Sequence, residues 1–190
     1  MSAIQRISDR VCLADVVAFD RDDKPVVVVA ADERPIYPQS TAFNLEVLQA
    51  IRKDIPFAIL AYADEMTIYR KHGTRSLEPV TTIPTREIIR FYAPIFEDRR
   101  VSSDFIARMI DAWLRDFMRH WKSPTPPFTE RMTSLGLVAR LENGWSKARV
   151  RLACLPVRGD QLPDELRDRA ESGNGCHPLE PVPIPQADPA

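Results

Sequence analysis

The sequence is poor in the residues that build several common catalytic sites. It contains six glycines, three cysteines and three histidines among 190 residues. So few glycines leave little material for a Gly-rich phosphate loop or a dinucleotide-binding turn, and no segment resembles a nucleophile elbow. The cysteines Cys12, Cys154 and Cys176 are too few and too widely spaced for a disulfide framework or a zinc site.

Charge of one sign and long apolar runs are also missing. The formal net charge is -1 and the isoelectric point is near 6.3, so the whole chain carries no electrostatic signature of a nucleic-acid-binding protein. No run approaches the ~18 apolar residues of a membrane span, and the first ten residues have no apolar signal-peptide core. We therefore expect a cytoplasmic protein that does not enter a membrane.

The apolar residues that are present fall into short runs typical of buried strands. The segments 11–19 and 26–31 flank an acidic turn and predict a β-hairpin. Ser40 is predicted to cap a helix over 41–53, because Phe43, Val47, Leu48 and Ile51 lie on one helical face. The segment 57–63 predicts another central strand, followed by a tight turn at Asp64-Glu65 and a partner strand over 66–70. The predicted order is β-β-α-β-β, an α/β fold in which 26–31 and 57–63 are parallel neighbours.

The second half of the chain contains the clearest helical pattern. A helix is predicted to begin after Ser102 or Ser103, and a helical turn before it over 85–91. Aromatic and sulfur-containing residues recur every four positions and predict a docking face, and the part of it that the sheet does not cover is predicted to bind a partner. Its members are Phe105, Met109, Trp113, Phe117 and Trp121.

Two interpretations remain open for residues 128–153. One is a helix over 128–141 that ends at Asn143-Gly144, followed by a strand over 148–153. The other is a hairpin over 135–150 around the same Asn-Gly pair, which favours a type I′ turn. Beyond it, residues 156–190 are rich in proline and are predicted to form a flexible tail.

The stretch "LADVVAFD" resembles the "PDlvvyD" of nucleases of the PD-(D/E)xK type. The next segments, "KPVVVV", a helix and "PFAILAYADEMTIYR", resemble those of small bacterial proteins related to the N-terminal nuclease domain of type I restriction subunits. The resemblance covers about residues 11–122. It implies a restriction-endonuclease-like mixed sheet with flanking helices over residues 1–155. In that family, carboxylates on two strands hold Mg²⁺, and a lysine stabilises the attacking water.

The chain departs from this family at the residues that perform the reaction. The "P-vllVEvK" pattern, counted from Pro25, places its glutamate at Ala30 and its lysine at Asp32. Asp15 matches the first aspartate, and Asn44 corresponds best to a glutamine that often follows on the helix. Because alanine cannot bind a metal and Asp32 reverses the expected charge, the resemblance implies a degenerate site without a cofactor.

A shifted active site is the alternative. Asp32 and Arg34 share a strand face, and together with Asp15 and Asn44 they would form a Mg²⁺-dependent endonuclease with Asp15 and Asp32 as metal ligands. Against it, Pro35 follows Arg34 directly and favours a strand end, and arginine is too basic to exchange protons with water.

Lys147, Arg149 and Arg151 alternate along a predicted strand and would form one basic row that contacts nucleic acid weakly. The leading hypothesis is a catalytically inactive nuclease-like domain that serves as a binding or scaffolding subunit of a bacterial assembly. Its protein partner would bind the long helix or the proline-rich tail. An active nuclease and a purely structural protein are the alternatives.

Overall fold

The computed structural model of the protein describes residues 5–8, 11–33, 38–51, 54–72, 76–96 and 100–153. The predicted proline-rich tail lies outside these residues. The described elements comprise seven strands and five α-helices, with a 3₁₀ turn over Pro94–Phe96. In chain order they are β1 (Gln5–Ser8), β2 (Val11–Phe19), β3 (Pro25–Ala31), α1 (Pro38–Ala50), β4 (Phe57–Ala61), β5 (Glu65–His72), β6 (Ser76–Pro84), α2 (Thr85–Tyr92), α3 (Ser103–Arg119), α4 (Thr129–Ser134), α5 (Leu137–Leu141) and β7 (Trp145–Ala153).

The strands form one mixed sheet. β3 and β4 are parallel, in the register Val27 with Phe57 to Ala31 with Ala61, and α1 connects them. The other strand pairs described are antiparallel: β1 and β7 pair with β2, β2 with β3, β4 with β5, and β5 with β6. The parallel arrangement of β3 and β4 was predicted from their uninterrupted apolar runs, and it is confirmed.

Helices cover both faces of this sheet. On one face, Val47, Leu48 and Ile51 pack with side chains of β2, β3 and β4, so α1 covers that side. On the other face, the apolar side of α3 packs on the sheet together with residues from α2, α4 and α5. We call these the α1 face and the α3 face. The fold is therefore mixed α/β, with two apolar layers on either side of the central strands.

Several predicted boundaries are corrected by the structure. α1 begins at Pro38, so Ser40 lies within the helix rather than capping it. In contrast, the Ser102 hydroxyl accepts the Phe105 N–H at 3.3 Å and caps α3, as predicted. Between 128 and 141 there is helix, as one interpretation held, but Gly136 divides it into α4 and α5 because its φ is +74°. The hairpin over 135–150 is wrong, and β7 begins at Trp145, three residues before the predicted start.

Candidate functional site

The antiparallel pairing of β2 is interrupted at Asp15. On one side of β2, the pairing with β1 ends at Leu13 and the pairing with β3 begins at Val16. Ala14 packs on the α1 face whereas Val16 packs on the α3 face, so the usual alternation of side chains is broken between them. The Asp15 carboxylate fills the gap, because its Oδ2 accepts the Ala31 N–H at 2.8 Å.

The environment of Asp15 favours its protonated form. Burial raises the pKa of its carboxyl group, against the lowering effect of the Ala31 N–H, and the result is a pKa of about 7. The charge of Asp104 raises this pKa further, that of Arg149 lowers it, and that of Asp32 makes a smaller raising contribution. Near neutral pH this carboxyl group is therefore present in both protonation states.

Asp15 opens into a cleft of about 200 Å³ between β2, β7 and α3. Three carboxylates and two guanidinium groups line it. Asp111 is already engaged, since Arg115 forms an ion pair with it at 2.8 Å and the Ser146 hydroxyl donates to it at 2.5 Å. The charged residues that line the cleft are Asp15, Asp104, Arg108, Asp111 and Arg149.

Asp32 lies close to Asn44 rather than in the cleft that Asp15 lines. Its N–H donates to the Ala61 carbonyl at 2.8 Å, and its Oδ1 accepts the Glu33 N–H at 2.8 Å. Burial raises the pKa of Asp32, while the Glu33 N–H and the Asn44 side chain lower it. The structure thus brings Asp32 and Asn44 into contact, as the shifted site requires, whereas Asp15 opens toward α3.

The family's glutamate position, Ala30, and the remaining position of the shifted site, Arg34, add no ligand among the described residues. Ala30 is fully buried on the α1 face of β3. Arg34 lies outside the described residues. Within the described ranges, no group of three or more histidine, cysteine, aspartate or glutamate side chains is arranged to hold a metal ion. Among the described residues, the fit of Mg²⁺ to the shifted site therefore depends on the carboxylates of Asp15 and Asp32, and each of them already accepts a backbone N–H.

The basic residues of β7 do not form the single row that their spacing predicted. Lys147 pairs with Val17, which packs on the α1 face. Arg149 has a left-handed conformation with φ of 54° and lines the cleft beside α3. Arg151 pairs with Leu13, on the side opposite Val150 and Leu152, which pack on the α1 face. The irregular backbone at Arg149 shifts the alternation and separates Lys147 from the other two.

Most of the aromatic face of α3 belongs to the core. Trp113 is fully buried, Phe117 is 3% exposed, and Phe105 and Met109 are half-buried against the same core. Burying the Trp113 indole leaves its N–H satisfied, because it donates to the Pro127 carbonyl at 2.8 Å. Only the last predicted member remains available to a partner, since Trp121 lies beyond the end of α3 and is 66% exposed.

Asp116, a buried acidic residue on α3, forms hydrogen bonds that have a structural rather than a catalytic role. The Tyr92 hydroxyl donates to Asp116 Oδ2, and the Lys122 N–H donates to its Oδ1. Burial and the Asp116 carboxylate raise the pKa of Tyr92, so the phenol keeps its proton. Lys122 Nζ also donates to the Phe91 carbonyl at 2.7 Å. These bonds connect the ends of α2 and α3.

The sequence prediction missed a second cleft, of about 300 Å³, where the end of α3 meets the start of β7. A partial signal is present, because Asp111, Arg115 and Arg119 recur at intervals of four residues and must share a helix face. The proximity of Trp145 to that face depends on the pairing of β7 with β2, which local sequence patterns do not contain. The cleft is lined by Arg115, Met118, Arg119, Trp121, Trp145 and Ser146.

Compared with protein-family models, with curated proteins and with solved structures, the chain matches none of them. Among the helices that the structure describes, none is both long and apolar enough to cross a membrane.

Proposed function

We propose that this chain is a restriction-endonuclease-like domain without a working phosphodiesterase centre, and that it acts as a binding or scaffolding subunit in a bacterial assembly. The order of elements supports the relationship, since the β2–β3 hairpin is followed by α1, a parallel β4 and an antiparallel β5. Asp15 on β2 and Asp32 just after β3 then stand where the family pattern has its first aspartate and its lysine.

The composition of β3 is the observation that carries the proposed loss of activity. Ala30 replaces the metal-binding glutamate and is fully buried against α1. Asp32 replaces the lysine, and its carboxylate is held by the Glu33 N–H. Phosphodiester hydrolysis requires a cation held by several oxygen ligands and a positive group near the attacking hydroxide. Both requirements fail at these two positions.

A protein partner is the preferred ligand of this domain. Large exposed apolar side chains are typical of protein interaction surfaces when they are grouped. Near the end of α2, Phe91 is 37% exposed and Ile95 is 76% exposed. This surface replaces the buried part of α3 as the proposed contact region.

The direct test is a nuclease assay with purified protein on linear, supercoiled and single-stranded DNA, with Mg²⁺ or Mn²⁺. We expect all three substrates to remain intact. A thermal unfolding series with increasing Mg²⁺ provides a second readout, because a cation that binds the folded state raises the melting temperature. We expect no increase for the unaltered chain.

A Mg²⁺-dependent endonuclease is the second candidate, and it is favoured by the bond between the Asp15 carboxylate and the N–H of Ala31, the residue directly before Asp32. The charge of Asp32 also makes a small raising contribution to the pKa of Asp15. DNA cleavage by the unaltered protein that disappears in both Asp15→Ala and Asp32→Ala would establish this shifted site. The leading proposal would then be wrong. Asp22→Ala, at an exposed turn, is the matched control for these variants.

A further inference from the structure

The cleft between the end of α3 and the start of β7 combines positive charge with flat apolar surface. Its guanidinium groups come from Arg115 and Arg119, one helical turn apart on α3. Among the residues that the structure describes, no carboxylate lines it. Asp111, which does not line the cleft, forms an ion pair with Arg115 at 2.8 Å. The lining therefore presents positive charge to a ligand.

Both guanidinium groups are positioned by the protein and retain donors for a ligand. Arg115 Nε donates to Ser146 Oγ at 3.2 Å, and Arg119 Nε donates to the Gly144 carbonyl at 3.3 Å. A guanidinium group has five N–H donors in a planar fork. Because the bond to the Gly144 carbonyl uses Nε of Arg119, the two terminal nitrogens can bind phosphate oxygens in a bidentate manner.

The aromatic part of the cleft is also held in place. One face of the Trp145 indole stacks on Phe19, with ring centroids 4.2 Å apart and planes inclined by 10°. The Trp145 N–H donates to Asp23 Oδ1 at 2.6 Å, which fixes the rotation of the ring. Trp121 follows the left-handed His120 that ends α3, and its side chain is 66% exposed beside the same cleft.

We propose that this cleft binds a nucleoside monophosphate, with the base against the Trp121 indole and the phosphate on Arg119 and Arg115. Base stacking on tryptophan tolerates any base, because every base has a π-face. The cleft volume of about 300 Å³ lies at the lower end of small-ligand sites and favours a monophosphate over a larger cofactor. The proposal is independent of the nuclease-like relationship, because it uses none of the residues of that site.

Tryptophan fluorescence provides a direct measurement of binding. Two of the three tryptophans of the chain line the cleft, and the third, Trp113, is fully buried. Titration of the full chain with AMP, GMP, CMP and UMP should give saturable quenching. Adenosine and inorganic phosphate, tested separately, should each bind about tenfold or more weakly than AMP, because each provides only one of the two contacts.

Two variants separate the two contacts. Arg119→Gln removes the phosphate-binding charge and should weaken AMP binding about tenfold or more while leaving adenosine binding unchanged. Trp121→Ala should weaken the binding of AMP and the binding of adenosine by about tenfold each. Arg140→Gln is the matched control, because Arg140 is an exposed arginine on α5 that does not line the cleft. Thermal unfolding of each variant shows whether it remains folded.

Absence of saturable quenching by all four nucleotides would overturn the proposal. So would binding that Arg119→Gln and Trp121→Ala leave unchanged, since the ligand would then lie elsewhere. A short single-stranded oligonucleotide forms the last arm. Binding of the oligonucleotide without binding of any mononucleotide would assign the cleft to a nucleic-acid strand and contradict a small-molecule site. DNA cleavage in the nuclease assay would contradict the proposed function, but it would leave the proposed nucleotide site between α3 and β7 unaffected.

Discussion

Asp15 is held in a position that a charged carboxylate does not favour. Its folded-state pKa of about 7 is above the value of 3.8 for an unperturbed aspartate, with burial as the main cause. The folded protein therefore retains a proton that the unfolded chain releases, and folding stability falls as the pH rises from about 4 to about 7. Above that range both states are ionised, and the loss is complete.

Asp15→Asn should remove this pH dependence. The amide stays neutral, and its oxygen still accepts the Ala31 N–H that Asp15 now accepts. The full pKa difference corresponds to about 4 kcal/mol, which we reduce to about 2 kcal/mol because the side chain is half-buried and partly screened. We expect little difference from the unaltered chain at pH 4 and a gain of about 2 kcal/mol at pH 8. Urea unfolding at several pH values measures this difference in the free energy of unfolding.

The control for this experiment is Asp22→Asn, because the Asp22 side chain is 63% exposed. Asp22→Asn should not show the gain in stability at pH 8 that is expected of Asp15→Asn. A loss of stability in Asp15→Asn at pH 8, or a gain that does not depend on pH, would contradict the burial effect. The ionised carboxylate would then be the form that the fold prefers.

At the scale of elements, the turn between α5 and β7 permits no side chain at Gly144. A Cβ atom there would lie 2.1 Å from the Phe19 carbonyl oxygen and 2.8 Å from that of Leu141. Both neighbours are backbone atoms and cannot move aside without disturbing β2 or α5. Gly144 is therefore required for the close approach of this turn to the central sheet.

Gly144→Ala should accordingly destabilise the protein by about 3 kcal/mol or more. Gly136→Ala is its matched control, because a Cβ there meets nothing within 4 Å and only the left-handed φ of +74° opposes it. That strain should cost about 1 kcal/mol. Thermal unfolding of both variants measures the two losses of stability. If Gly144→Ala and Gly136→Ala lose equal stability, the turn rearranges and its close approach to the sheet is not a constraint.

The elements that sequence patterns predicted correctly are those with strong local signals. β3 and β4 are continuous apolar runs, and Ser102 caps α3 where the aromatic periodicity begins. β6 was missed because it lies at the sheet margin, where exposed polar residues and two prolines, Pro79 and Pro84, remove the usual strand pattern. β1 is only four residues long, Gln5–Ser8, and offers no pattern either.

The candidate sites were less predictable for a related reason. Spacing along a strand assigns faces only while the strand stays regular. The interruption at Asp15 and the left-handed Arg149 occur opposite each other in neighbouring strands, between the pairs Ala14–Val150 and Val16–Ala148. Each breaks the alternation on its own strand, so neither the shifted metal site nor the basic row has the arrangement expected from counting residues.

At the scale of the whole molecule, the described residues contain two apolar layers within one compact unit. The buried side chains of both apolar layers lie between Cys12 and Leu152. Residues Met1–Val157 form one compact unit. The folded part described by the structure therefore contains its own core within that unit.

A chain shortened to residues 1–157 should fold and melt within about 2 °C of the full chain, because it retains every buried contact described. Differential scanning calorimetry of both chains measures this.

Limited proteolysis of the full chain, isolated from any partner, should likewise produce a stable fragment that ends near residue 159. A shortened chain that fails to fold, or a full chain that protease leaves uncut there, would show that the tail contributes to the core.

The pairing of β7 with β2 also determines when the protein can finish folding during its synthesis. Val11 pairs with Ala153 and Phe19 with Trp145. A strand within the first twenty residues therefore pairs with the last strand described, which is synthesised much later. Until β7 leaves the ribosome, the outer edge of β2 has no antiparallel partner among the described strands, and unpaired edges expose nascent chains to aggregation. Contacts between such distant residues also slow folding. The sheet can therefore be completed only after β7, the last strand described, has been synthesised.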